Sequence, residues 1–116
     1  MIEEKLKILL ESGTITQRAH DCGRETAAWL LDKKIIGDMD EADMFLTHLV
    51  MAITRQERGE PVDGLSEEMW AGVTSEAVYP KAKALWPQTP AAGSVRLGET
   101  EVRFCIMHLC VLLGLE

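Results

Sequence analysis

Apolar residues recur along this chain mostly at three- and four-residue steps, the period of a helix packed on one side. Ile2, Leu6, Leu9 and Leu10 set a helix over residues 1–12, with Gly13 as its stop. "TITQ" places Thr14 three residues before Gln17, a capping-box spacing, and predicts a second helix from about Thr16 to Ile35. Its buried side takes Ala19, Ala27, Leu30, Leu31 and Ile35. Gly37 breaks the chain. Asp40 then caps a third helix, with Glu41 and Asp43 in its first turn, and the apolar pattern carries it to about Arg58. "RGEPVDGLS" reads as a loop. Ser66 caps a helix through Trp70 and Val73, which Pro80 kinks or splits. "WPQTPAAGS" reads as a second loop, and a last helix runs from Gly98 or Glu99 to Leu113.

Composition agrees with this pattern. Hydrophobic residues are 47% of the 116, yet aromatic ones are only 5%, so the core is built from Leu, Ile, Val, Met and Ala. That mixture favours helices over strands. The expected fold is one all-α domain over residues 1–116, a compact bundle of about five helices. Residues 1–36 form its opening helices.

The formal net charge is −7, and neither half of the chain is basic. A nucleic-acid-binding surface needs a Lys/Arg patch, so direct nucleic-acid binding is not expected. The run "FCIMHLCVLLGL" is too short to span a bilayer and contains His108. "MIEEKLKILLESG" lacks the apolar centre of a secretory signal. Cys22, Cys105 and Cys110 are odd in number and read as free thiols of a cytoplasmic protein.

Candidate chemistry concentrates on two helices. In "MFLTHLVMAITRQERGEP", His48 and Arg55 are seven residues apart in an apolar run; in "ETEVRFCIMHLC", Glu101 and His108 repeat that spacing. Seven residues are nearly two turns, so each pair shares a face, separated by about 10 Å along its axis. Antiparallel packing would set His48 beside His108 and Arg55 beside Glu101. Parallel packing would instead pair His48 with Glu101 and Arg55 with His108. The antiparallel version is preferred because it neutralises both long charged side chains.

Other chemistry finds less footing. Cys105, His108 and Cys110 form C-x2-H-x-C, but Cys110 points away from Cys105 on a helix, and the paired C-x2-C spacing of zinc sites is missing. No Gly-rich phosphate loop, nucleophile elbow or H-E-x-x-H occurs, so no enzyme, metal or cofactor is expected. Met44 and Met51, flanking His48, read as adaptable core, and His20 is given no partner.

Three segments together resemble the PTS regulation domain family: "HLVMAITRQERGEP" its first histidine segment, "VYPKAKALW" the Tyr-Pro segment of the following helix, and "LGETEVRFCIMHLCVLL" its second histidine segment. The matching region spans about residues 40–113. Thr47 departs from the pattern, standing where the family commonly has Asp. The resemblance implies an all-helical, usually dimeric module controlled by reversible histidine phosphorylation. His48 and His108 would be the phosphoacceptors, with Arg55 and Glu101 as supporting charged partners. The donor would be the phosphocarrier protein or a sugar-specific transporter component of the sugar phosphotransferase system. The output would be carbohydrate-responsive gene expression, exerted through protein–protein contacts and a separate transcription regulator. The competing expectation is a helical dimerisation scaffold without phosphorylation.

Overall fold

A computed structural model describes residues 1–114. Seven α-helices follow in order: α1 (Ile2–Glu11), α2 (Gln17–Asp32), α3 (Asp43–Arg58), α4 (Glu67–Thr74), α5 (Tyr79–Leu85), α6 (Pro90–Ser94) and α7 (Glu99–Leu112). Single 3₁₀ turns at Met39–Ala42 and Trp86–Gln88 lead into α3 and out of α5. No strand occurs among the described residues, so the chain is an all-helical bundle. No helix among them is long and apolar enough to cross a membrane.

The long helices begin and end for local reasons. Thr16, not Thr14, caps α2: its hydroxyl accepts from the Ala19 amide at 3.1 Å. The Thr16 amide in turn donates to Thr54 Oγ1 on α3 at 3.2 Å, and its hydroxyl donates to the Glu57 carboxylate. The start of α2 is thus tied to the end of α3. Arg58 reinforces this by donating to the Gly13 carbonyl at 2.8 Å. Helix α2 stops at Asp32, short of Ile35, because the chain turns left-handed at Lys34 (φ 60°).

Asp38, not Asp40, caps the turn before α3. Asp40 is used elsewhere, accepting from the Ile2 amide at 2.7 Å and satisfying a donor at the start of α1. Helix α3 ends at Gly59, whose φ of 67° suits glycine. Ser66 caps α4 as expected, accepting from the Met69 amide at 3.1 Å.

Helix α3 is the centre of the bundle. It buries Phe45, Leu46, Leu49, Val50, Ala52, Ile53 and Thr54, and packs against α1, α2 and α7. Fully burying one such aliphatic side chain contributes about 1.5–3 kcal/mol. The crossing with α2 is close at Gly23, where an added Cβ would lie 2.5 Å from Val50 Cγ1. Val50 is β-branched and stiff, so it cannot swing aside. Gly23→Ala should therefore lower the unfolding free energy by about 1–3 kcal/mol in urea denaturation, the usual result of overpacking. Val50→Ala in the same chain should return part of that loss. An unchanged midpoint for Gly23→Ala would show that the helices separate freely.

The stretch 86–94, expected as a loop, folds into the second 3₁₀ turn and α6. Proline is compatible with the first turn of a helix, and Thr89 caps α6 by accepting from the Ala92 amide at 3.2 Å. Helix α6 packs on α2, and α5 packs on α7. Pro80 likewise sits in the first turn of α5, so the predicted fourth helix is divided into α4 and α5. Helix α4 buries no residue fully. It is held by Trp70, which meets Tyr79 edge-on at 5.8 Å and carries the Arg103 guanidinium at 4.9 Å above its ring.

Candidate functional site

Helices α3 and α7 pack antiparallel, and the two seven-residue pairs face each other. Arg55 Nε donates to Glu101 Oε2 at 2.9 Å, and its terminal nitrogen donates to Oε1 at 3.1 Å. This is the fork-on-fork geometry that guanidinium and carboxylate favour. Near the other end of the contact, the His48 and His108 rings lie 4.8 Å apart, centroid to centroid, tilted by 33°. All four residues singled out from the sequence therefore meet along one helix–helix seam.

Local structure explains the placement. The amide of Gly98, the N-cap of α7, donates to Gln56 Oε1 at 3.3 Å, which sets the start of α7 beside the end of α3. Glu101 then falls in the first turn of α7, where the helix dipole favours a carboxylate. Phe104, one turn before His108, packs on His48 at 5.2 Å between ring centroids. Phe104 carries no charge or nucleophile to mark it in the sequence, although its four-residue step to His108 places it on the same face.

The seam is partly sealed. Glu101 is 5% exposed, and the side chain of His48 is 15% exposed. His48 Nε2 is buried and makes no hydrogen bond. Its nearest carboxylate oxygen is Glu101 Oε1 at 3.8 Å, too long for a hydrogen bond. His108 is half-buried. Cys105 is fully buried and its thiol is pushed up, first by burial and then by the Glu101 charge. It is therefore a protonated packing group rather than a nucleophile.

Burial also governs the imidazoles. His48 is pushed down to about 4, chiefly by burial and then by His108; the Glu101 carboxylate opposes this and Arg55 reinforces it. His108 is lowered by burial as well. Both rings are thus neutral at pH 7 and keep a nitrogen lone pair. The Glu101 carboxylate, by contrast, holds the Arg55 guanidinium more firmly protonated than usual.

A pH dependence follows. His48 in the unfolded chain takes up its proton near 6.5, but in the folded chain only near 4. The unfolded state then binds more protons between those values, so stability falls as pH drops from 6.5 towards 4 and levels off below. Because His48 is still partly wetted, the loss should be on the order of 2 kcal/mol. Urea unfolding of the native chain and of His48→Gln across that range checks it. The difference between the two curves should carry the slope; parallel curves would mean that His48 titrates as it does in water.

Within one turn of the histidines along the two helices, Met44 is 67% exposed and Val111 55% exposed, and Met51 and Phe104 are half-buried. The expectation that Met44 belongs to the core is therefore corrected: it lies outside the core. Asp43 stands five residues before His48 but is engaged by Lys5 at 3.1 Å and by the Thr47 hydroxyl at 3.3 Å. His20, assigned no role, has its Nδ1 3.1 Å from Asp21 Oδ1. Cys22 and Cys110 are buried free thiols.

Comparisons with protein-family models, with curated proteins and with solved structures found no match to this chain.

Proposed function

We propose that this chain is a regulatory domain of bacterial carbohydrate-responsive gene expression, switched by reversible phosphorylation of His48 and His108 by the sugar phosphotransferase system. The observation that carries the reading is the facing histidine pair, 4.8 Å between ring centroids, beside the Arg55–Glu101 ion pair. Neutral imidazoles suit phosphoryl acceptance, because the attacking nitrogen must be unprotonated. A phosphoryl group brings roughly two negative charges. Placed between two packed helices, that charge needs a cation, and Arg55 lies on the same face of α3. The result is a local charge change that repacks the seam.

The exposed apolar side chains of Met44 and Val111, each within one turn of a histidine along its own helix, would give this switch contact points. A second copy of the chain would seat there, and a separate transcription regulator would receive the output. The donor is the phosphocarrier protein or a sugar-specific transporter component. Sedimentation equilibrium of the chain, before and after incubation with phosphoenolpyruvate and the phosphotransferase proteins, tests the reading. A dimer whose dissociation constant changes on phosphorylation is expected, with the change abolished in His48→Ala and His108→Ala chains. A monomer throughout, indifferent to the donors, would remove the reading.

A second reading draws on the burial of His48 Nε2. On that basis the chain is a helical dimerisation scaffold in which the histidines only pack. It requires a dimer that never takes up phosphate.

A further inference from the structure

The position of Glu101 has a consequence for where a phosphoryl group can sit. Glu101 Oε1 accepts from Arg55 at 3.1 Å and lies 3.8 Å from His48 Nε2. A phosphoryl oxygen on Nε2 would need the space that Oε1 fills. It would also bring negative charge against a carboxylate that is only 5% exposed, where repulsion is poorly screened. Arg55, meanwhile, carries the planar donor fork that fits a carboxylate and a phosphoryl group equally well. In this structure the Nε–Nη2 edge of that guanidinium is taken by Glu101.

We propose that Glu101 is a built-in competitor for Arg55, standing where the phosphoryl group of His48 would sit, so that phosphorylation at Nε2 and the α3–α7 ion pair exclude each other. The proposal rests on the regulatory reading above and adds the element that is switched. With the proton on Nδ1, the Nε2 lone pair attacks phosphorus. The P–N bond to the donor breaks as the new one forms. For a phosphohistidine donor protonated on its other ring nitrogen, the leaving group is a neutral imidazole, and His48 keeps its Nδ1 proton. Glu101 must then leave the seam, and Arg55 turns to the phosphoryl oxygens. The ion pair joining α3 to α7 is lost in the same step. Glu101 acts here as a positioning residue, holding Arg55 away from His48 until phosphate replaces it.

The seam also orders the two acceptors. His48 Nε2 is buried, with Glu101 Oε1 3.8 Å away, whereas His108 is half-buried and its pKa shift comes from burial alone. His108 is the faster acceptor while Glu101 is in place.

Phosphoramidate, a small chemical donor that phosphorylates histidine and releases ammonia, tests this without any protein partner. Phosphorus and nitrogen NMR follow each ring in the native chain and in Glu101→Gln. His108 should label first in the native chain. In Glu101→Gln the rate at His48 relative to His108 should rise on the order of tenfold, the effect of relieving about 1.4 kcal/mol of like-charge contact. If Glu101→Gln does not fold, the native chain still decides. Labelling of His48 at Nε2 should shift the Arg55 Nε–H resonance and lower amide protection in the first turn of α7. Equal relative rates in the two proteins would overturn the proposal. So would labelling at Nδ1 with the Arg55 resonance unmoved, or no labelling of His48 at all. Failure of the phosphotransferase proteins to act would count against the regulatory reading alone, because the chemical donor does not depend on them.

Discussion

Arg55→Ala should lower the unfolding free energy by about 3 kcal/mol, towards the lower end of what breaking a buried ion pair costs. The magnitude comes from what is left behind. Glu101 is 5% exposed, and it would lose both of its charge-assisted hydrogen bonds. An exposed pair would cost below about 1 kcal/mol. The Arg55 side chain is 22% exposed, so some water reaches the orphaned carboxylate and keeps the cost from the top of the range. Arg55→Met with Glu101→Gln should recover most of the loss, because both charges go together. The check is a double-mutant cycle by urea unfolding, with a coupling energy of about 1–3 kcal/mol expected. A coupling near zero would mean that the two side chains do not hold α3 to α7 in solution.

Leu46→Ala should cost about 2–5 kcal/mol, the range for emptying a fully buried leucine site. Leu46 is 0% exposed and lies about 160° around α3 from His48. It supports the bundle from the side away from the seam. The substitution therefore separates stability from chemistry. The urea midpoint should fall, while below the transition the His48 resonance keeps its native titration midpoint near 4. A shifted midpoint would show that the histidine pair is set by packing across the whole of α3 rather than by its own seam.

These two helices were the most legible part of the sequence. A seven-residue step on each fixes a shared face, and charge neutralisation chooses the antiparallel pairing, which the bidentate contact between Arg55 and Glu101 bears out. What could not be read was the depth of the seam. Burial of His48 Nε2 depends on how Phe104 and His108 close over it, and that is tertiary packing rather than spacing. The helix caps were misplaced for a different reason. Thr14 and Asp40 both have suitable side chains, but the competing Thr16 and Asp38 take the caps. Asp40 is drawn away to the start of α1. The stretch 86–94, expected as a loop, instead holds a short helix that Pro90 begins. Arg103 over Trp70 had no sequence signal, since the two lie on helices whose pairing the chain does not announce.

Everything proposed for this chain rests on acceptance of phosphate by His48 and His108 from a phosphotransferase donor. Its most direct measurement is phosphosite mapping at neutral pH, because phosphohistidine is lost in acid. The chain is incubated with phosphoenolpyruvate, the first enzyme of the system and the phosphocarrier protein or the sugar-specific transporter component, then digested and sequenced by mass without acidification. Phosphate is expected on His108 first and on His48 after it, none on His20, and none in the His48→Ala, His108→Ala double variant. Unmodified histidines with every donor, under conditions where the donors phosphorylate one another, would contradict it.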